Sequence, residues 1–221
     1  MPAKFDPGLI PRRPDLSFET QLWLRGITPV AGIDEAGRGA LAGPVAAAAA
    51  ILPADPAIAA RLEGVRDSKQ MSPAERQFWA DQLPTQIQAW AVGFATNQEI
   101  DSLGIVPAVR LAISRALASL GVQPAHLLVD YLDLPDCPIP QTSLVKGDAR
   151  SLSIAAASVL AKTARDALMV ELDASYPGYG FAIHKGYGTL AHRIAIRQTG
   201  FSPIHRQTFQ VKEPALAPAE R

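Results

Sequence analysis

Apolar residues recur along this chain with two spacings, which alternate after the first third of the sequence. Short apolar runs bounded by Gly, Pro or Asp predict strands over residues 28–34, 89–96, 126–130 and 142–145. Longer segments with apolar residues three and four positions apart predict helices over residues 73–82, 97–102, 106–120, 154–172 and 189–198. Alternating strands and helices predict an α/β or α+β fold.

Polar residues mark where two of these helices begin. Ser72, followed by Pro73 and Glu75, forms the pattern of a capping box with proline in the first turn. Asn97 is predicted to cap the short helix that runs to Ser102.

The alanine-rich segment 44–52 fits either of two structures. Its five consecutive alanines favour a helix by intrinsic propensity. However, Pro44 and Pro53 bound the segment and leave room for only about two helical turns. A short strand packed closely against its neighbours would also accommodate a run of alanine, so the pattern leaves both structures open.

The composition indicates the number of domains and the expected cellular compartment. The chain has 221 residues, 48% of them hydrophobic and 19% charged, and a mean hydropathy of +0.08, which suits one large folded domain. Lys and Arg together number 21, as do Asp and Glu, so overall charge does not indicate a nucleic-acid partner. The single cysteine, Cys137, and the absence of an apolar leader or membrane-length segment predict a cytoplasmic protein. We expect a monomer.

Acidic side chains end three of the apolar runs. Asp34 and Glu35 close the first run, Asp130 closes the run 127–129, and Asp148 follows the short strand that ends at Val145. If these strands are neighbours, four carboxylates meet at one edge of the sheet, an arrangement that needs a neutralising cation. Oxygen ligands without Cys or clustered His favour Mg²⁺ or Mn²⁺.

A structural explanation competes with the metal site. A single Asp after a strand is often a turn former, and Asp148 could help to start the helix near Ser151. Capping accounts for one acid of the Asp34–Glu35 pair but not for both. Asp133 is a rival to Asp130.

The turn Gly37-Arg38-Gly39 follows the acidic pair directly. It could be an ordinary glycine turn, or it could bring its backbone close to a phosphate or sugar. Dinucleotide binding is disfavoured, because the spacing through Gly43 is not G-x-G-x-x-G and two acids lie where a pyrophosphate would bind.

Cationic and aromatic residues supply candidate nucleic-acid contacts. The segment 184–188 combines His, Lys and Tyr187 between glycines, a composition suited to stacking on sugar or base. Each residue alone would be read as an ordinary surface or core residue. The candidate phosphate contacts are Lys69, Lys146, Lys162, Arg165 and Arg206.

Five motifs in the same order resemble the ribonuclease HII family. They are the segments 31–45, 67–69, 146–148, 154–166 and 179–187, and the similarity extends over about residues 29–212. The resemblance implies an RNase H-like α/β fold with a mixed five-stranded sheet, flanking helices and a helical C-terminal part. It also implies a metal-dependent endonuclease that cuts RNA in RNA–DNA hybrids and on the 5′ side of single ribonucleotides in duplex DNA, leaving a 3′-hydroxyl.

The resemblance assigns roles to particular residues. The family's four catalytic, metal-binding acids match Asp34, Glu35, Asp130 and Asp148. Its turn that reads the ribose 2′-hydroxyl matches Gly37-Arg38-Gly39, and its tyrosine that stacks on the deoxyribose beyond the junction matches Tyr187. Lys69 and Lys146 are further expected substrate contacts, and the cofactor is expected to be Mn²⁺ or Mg²⁺. The resemblance favours a strand for the segment 44–52.

One departure and two alternatives accompany the resemblance. The family usually has glycine directly after its third acid, whereas this chain has Tyr131. The extent of the similarity predicts an N-terminal extension over residues 1–27, a catalytic domain over 28–211 and a disordered tail over 212–221.

Ribonuclease HIII is the alternative enzyme, although only 28 residues precede the region of similarity and the extra N-terminal domain of ribonuclease HIII would not fit there. A non-catalytic hybrid-binding module is the other alternative.

Overall fold

The apolar run that ends at Asp34 forms the central strand of a five-stranded sheet in a computed structural model, which describes residues 6, 8 and 10–211. The strands are β1 (Val30–Ala36), β2 (Val45–Ile51), β3 (Ala89–Ala95), β4 (His126–Asp130) and β5 (Gln141–Leu144). Their order is β3-β2-β1-β4-β5, with antiparallel pairs β3–β2 and β2–β1 and parallel pairs β1–β4 and β4–β5. The sheet is therefore mixed, which confirms the predicted fold class.

Eight α-helices lie among the described residues. They are α1 (Ser17–Trp23), α2 (Ile58–Arg61), α3 (Pro73–Gln86), α4 (Asn97–Leu103), α5 (Ile105–Ala118), α6 (Leu152–Ser175), α7 (Phe181–His184) and α8 (Leu190–Thr199). Two 3₁₀ turns, Ser68–Gln70 and Gly147–Ala149, come before α3 and α6. None of the helices in the described part of the chain has the length and apolarity that crossing a bilayer requires.

The segment 44–52 contains a strand, β2, and its alanines explain how the layers pack. Val45–Ile51 is fully buried between β1 and β3, with helices over both faces of the sheet. Ala47 and Ala49 face α5, whereas Ala48 and Ala50 face α6. Small side chains on both faces let the two helices approach the sheet closely, so packing outweighs the helical propensity of alanine.

Most elements differ from their predicted bounds by a few residues, and two of these differences have an identifiable origin. Thr96, not Asn97, caps α4 by accepting the Glu99 amide, because the threonine hydroxyl and Glu99 form a complete capping box. Helix α3 continues to Gln86 and contains Pro84. The predicted tail 212–221 lies outside the described residues.

The C-terminal helices pack against the far end of α6. Met169 of α6, Phe181 of α7 and Ala195 of α8 share a buried cluster with Tyr179. This packing brings the segment that contains Tyr187 next to the end of β1. At the other end of α6, the buried Glu19 of α1 accepts hydrogen bonds from residues at the start of the helix.

Candidate metal and nucleic-acid site

The parallel pairing of β1 with β4 brings three acids to one edge of the sheet. The register places Ile33 opposite Val129, so Asp34 and Asp130 follow at neighbouring strand ends. Asp34 is buried, and the Glu35 side chain is 15% exposed. The carboxyl ends of parallel strands are the usual place for functional groups in open sheets.

Asp148 joins this edge through the turn after β5. It lies in the 3₁₀ turn Gly147–Ala149, and the amide of Gly147 donates a 2.7 Å hydrogen bond to Asp130 Oδ1. The helix α6 is capped instead by the Ser151 hydroxyl, which accepts from the amide of Ile154. The four acids, hereafter the acid cluster, are Asp34, Glu35, Asp130 and Asp148.

Burial and mutual repulsion raise the pKa of every member of the acid cluster. Burial raises the pKa of Asp34 well above its usual value, and the charges of Glu35 and Asp130 raise it further. Burial also raises the pKa of Glu35 and Asp130, with added repulsion from Asp148 on Asp130. Burial and Asp67 raise the pKa of Asp148. The cluster therefore favours a cation.

Lys69 is the nearest counter-charge to the cluster. Its Nζ atom lies 3.5 Å from Asp148 Oδ2, and it is held by the 3₁₀ turn Ser68–Gln70. Burial lowers the pKa of Lys69, but the surrounding acids, Asp34 first, raise it overall. The Arg38 guanidinium lies 3.6 Å from Glu35 Oε1, so Lys69 and Arg38 offset part of the negative charge of the four acids.

The donor set fits a hard divalent cation. Asp34 Oδ2 is buried and has no hydrogen-bond partner among the described residues, and the cluster offers only oxygen atoms. No three acidic or imidazole side chains in the described ranges are already gathered around one point as a closed cage. Mg²⁺ does not need such a cage, because it binds through one or two carboxylates, waters and substrate phosphate.

Two adjoining hollows open over the acid cluster. The first hollow, about 500 Å³, is lined by Asp34, Glu35, Asp130, the 37–39 turn, Lys69, Lys162 and Tyr187, among others. The second hollow, about 340 Å³, is lined by Glu35, Asp130, Asp148, Arg38, Lys69, Lys146, Tyr131 and Val145. The four acids, the 37–39 turn, Lys69, Lys146, Lys162 and Tyr187 each line at least one hollow, whereas Arg165 and Arg206 line neither. The rival acid, Asp133, lines neither and accepts a hydrogen bond from Ser143.

The 37–39 turn is fixed from behind by Arg206. This guanidinium donates to the carbonyl oxygens of Gly37 (2.7 Å) and Arg38 (2.9 Å), and also to those of Gly43 and Pro44. Gly37 has φ +89°, and a Cβ there would lie 1.8 Å from Arg165 Nε, so the position requires glycine. At Gly39 an added Cβ would meet nothing within 4 Å.

Arg165 and Arg206 were expected among the phosphate contacts, and that expectation is wrong. Both are fully buried, at 0% and 1% exposure, and both donate to backbone carbonyls instead. Burial lowers the pKa of Arg206 to about 9. Their role is to connect the 37–39 turn, the start of β2 and the segment after α7.

Tyr187 lines the first hollow, and two cationic side chains lie close to its ring. Lys162 Nζ and the Arg165 guanidinium lie 5.2 Å and 5.3 Å from its ring centroid. Arg76, which the sequence interpretation missed, also lines this hollow and lies 3.9 Å from Asp166. Its place in a capped, largely exposed helix gives no sequence signal that separates it from solvated arginines.

Comparisons with known proteins agree with this geometry. A family model described as Ribonuclease HII matches residues 31–212. The chain is 49% identical over 214 residues to Ribonuclease HII of Dehalococcoides mccartyi, covering 95% of each chain. It is 52% identical over 202 residues to Ribonuclease HII of Myxococcus xanthus, covering 91% of this chain and 68% of the relative. The crystal structure of ribonuclease H2 from Pyrococcus horikoshii OT3 has TM-score 0.70 and 28% identity, covering 83% of this chain and 95% of that one.

Proposed function

Because this chain belongs to the ribonuclease HII family of metal-dependent endoribonucleases, we propose that it cuts RNA in RNA–DNA hybrids and cuts on the 5′ side of single ribonucleotides in duplex DNA. The resemblance drawn from the five motifs is thereby confirmed, since the family model that matches the chain is that of ribonuclease HII. The observation that carries the proposal is the acid cluster directly beside the 37–39 turn, in one pair of connected hollows.

The acid cluster is proposed to bind the catalytic metal. Two Mg²⁺ or Mn²⁺ ions held by these acids would activate the attacking water and neutralise charge on the leaving 3′-oxygen. The unpartnered oxygen of Asp34 and the raised pKa of all four acids support this assignment. Lys69, beside Asp148, would then be displaced toward a substrate phosphate.

Substrate choice is assigned to the 37–39 turn. Its carbonyls are held by Arg206, so the position of the turn relative to Asp34 and Glu35 is set before substrate binds. Gly39 has open space where a side chain would be, which permits a ribose to approach the backbone. Tyr187 would stack on the deoxyribose beyond the junction, and Lys69 and Lys146 would contact phosphates.

The test is cleavage of a labelled DNA duplex containing one ribonucleotide. We expect a single cut 5′ to the ribonucleotide with Mg²⁺ or Mn²⁺ and none with EDTA, and the product should support primer extension because it ends in a 3′-hydroxyl. Asp34→Asn and Asp130→Asn should abolish cleavage, while the matched variant Asp133→Asn should cleave normally.

Two results would contradict the proposal. One is cutting of an all-DNA duplex of the same sequence, and the other is wild-type activity in Asp34→Asn. Tight binding of the duplex without any cleavage would favour the hybrid-binding module. We further propose that the protein acts as a monomer in the cytoplasm, which mass measurement in solution and cell fractionation would check.

A further inference from the structure

Three non-glycine residues in the described ranges have left-handed backbone, and all three lie beside the proposed site. Tyr131 (φ 57°), Lys146 (φ 58°) and Lys185 (φ 54°) are these residues. Tyr131 follows Asp130 directly, Lys146 lies two positions before Asp148, and Lys185 lies two before Tyr187. Such backbone is costly for residues with a Cβ and persists where a site uses the side chain that it presents.

Tyr131 is the aromatic residue among these three, and a backbone hydrogen bond holds it in place. Its amide donates a 3.0 Å hydrogen bond to the carbonyl of Leu144, at the end of β5. The side chain is nevertheless 66% exposed and makes no aromatic or cation–π contact with the described residues. The ring therefore does not stabilise the core, and packing does not explain its presence.

The two hollows place Tyr131 and Tyr187 at opposite ends of the acid cluster. Glu35 and Asp130 line both hollows, as do Arg38 and Lys69. Tyr187 lines only the first hollow, whereas Tyr131 lines only the second, beside the half-exposed Val145. A strand whose scissile phosphate lies at the shared acids would extend into both hollows.

We propose that Tyr131 is a substrate-binding residue that packs against the deoxynucleotide on the 5′ side of the scissile phosphate. The proposal rests on the proposed function, which assigns the 3′ side to Tyr187. Tyr131 and Val145 supply an apolar surface for a base or sugar, and Lys146 supplies a cation for the adjoining phosphate. This aromatic contact takes the place of the glycine usual after the third acid in the family.

Paired variants separate the ring from the backbone. Asn also tolerates left-handed backbone, so Tyr131→Asn removes the ring without a new conformational demand, and Tyr131→Phe keeps the ring. Phe78→Ala is the matched control, because Phe78 is another exposed ring, at 56%, and lines neither hollow. KM and kcat are measured on the duplex with one ribonucleotide, and affinity is measured by fluorescence anisotropy in an Asp34→Asn background.

Tyr131→Asn is expected to raise KM and weaken binding about tenfold with little change in kcat, because stacking on one base is lost. Tyr131→Phe and Phe78→Ala should resemble the wild type. An abasic residue on the 5′ side should weaken binding of the wild type but add nothing to the defect of Tyr131→Asn. An abasic residue on the 3′ side, which keeps the deoxyribose proposed to contact Tyr187, should affect both proteins equally.

The measurements distinguish a wrong assignment of Tyr131 from a wrong proposed function. If Tyr131→Asn binds and cleaves like the wild type, or if both abasic duplexes weaken it as they weaken the wild type, the assignment of Tyr131 is wrong. Faster cleavage by Tyr131→Asn would show that the ring obstructs the cleft and would overturn it equally. If the wild type cuts no ribonucleotide-containing duplex at all, the proposed function fails instead.

Discussion

Gly37 and Gly39 lie in one turn but are required for different physical reasons. Gly37→Ala places a Cβ 1.8 Å from Arg165 Nε at φ +89°, so it should lower the free energy of unfolding by about 2–4 kcal/mol. Gly39→Ala meets nothing within 4 Å and should change stability by no more than about 0.5 kcal/mol. Its methyl group should instead raise KM about tenfold, by obstructing the ribose.

Urea denaturation and steady-state kinetics on both variants check this prediction. The two glycines serve as controls for each other, since one change should affect folding and the other substrate binding. A Gly39→Ala protein with normal KM would contradict a sugar contact at this turn, and a stable Gly37→Ala protein would contradict the close packing of Arg165.

Asp34→Asn should stabilise the metal-free protein while abolishing its activity. Because the pKa of Asp34 is raised by burial and by its acidic neighbours, its ionised form destabilises the fold, increasingly as pH rises above about 4. Removing that charge should raise the free energy of unfolding at pH 7.

The melting temperature with and without Mg²⁺ is the measurement. Mg²⁺ should raise the melting temperature of the wild type and of Asp133→Asn, and it should raise that of Asp34→Asn much less. An equal Mg²⁺ effect on Asp34→Asn would contradict its proposed role as a metal ligand.

At the scale of single residues, the sequence predicted that the acids end strands, but it did not predict that two arginines are buried. Asp34, Glu35 and Asp130 were found because each ends an apolar run, a signal that depends only on neighbouring residues. The buried roles of Arg165 and Arg206 were not predictable, because they depend on carbonyl groups far away in sequence. An arginine that donates to backbone and one that contacts phosphate look the same in a sequence.

At the scale of secondary-structure elements, β2 shows the limit of propensity. The alanine run could form a helix by itself, and only the neighbours on both edges and both faces make it a strand. Capped helices were easier to predict, since the Ser72 box that starts α3 is a local hydrogen-bond pattern.

Arg206 connects the segment after α8 to the turn after β1, and its replacement should loosen that connection. Arg206→Met leaves four buried carbonyl interactions unmade, so it should lower the free energy of unfolding by about 2–4 kcal/mol. Because the 37–39 turn loses its support, the preference for a ribonucleotide over an all-DNA duplex should also fall.

Urea denaturation measures the loss of stability, and competition between the ribonucleotide-containing duplex and the all-DNA duplex measures the loss of preference. Arg197→Met is the matched control, because Arg197 is exposed on α8 and its loss should leave both stability and preference unchanged. If Arg206→Met kept full stability, the guanidinium would not be the support of the turn.

At the scale of the whole molecule, zero net charge conceals a separation of charge. The fold gathers four acids at the centre of the cleft and places cations around them, namely Arg38, Lys69, Arg76, Lys146 and Lys162. These cations come from distant segments, so composition could not reveal them. The arrangement suits a polyanion whose cut phosphate meets metal while its neighbouring phosphates meet ammonium and guanidinium groups.

Three of the four histidines, His184, His192 and His205, are buried together in the C-terminal part of the described chain. The amide of Ser202 donates to His205 Nδ1, so His205 carries its proton on Nε2 and donates it to His192 Nε2, 3.0 Å away. His192 in turn donates from Nδ1 to the carbonyl of Tyr187. Protonating either ring breaks this chain of hydrogen bonds, directly behind Tyr187.

The chain of rings predicts acid sensitivity. Burial lowers the pKa of His192 and of His205 to about 4, below the 6.5 of an unfolded chain. The contribution to stability is thus complete above about pH 6.5 and is lost as the pH falls toward 4, by several kcal/mol in total. The acid cluster contributes with the opposite sign over this range, so the measurement is a difference between variants: from pH 7 to pH 5, urea denaturation of the metal-free proteins should show a less favourable change in the free energy of unfolding for the wild type than for His192→Gln. His126→Gln, on the half-buried β4 histidine, should change nearly as the wild type does. An equal pH 7 to pH 5 change in His192→Gln and wild type would mean that the ring chain does not titrate as described.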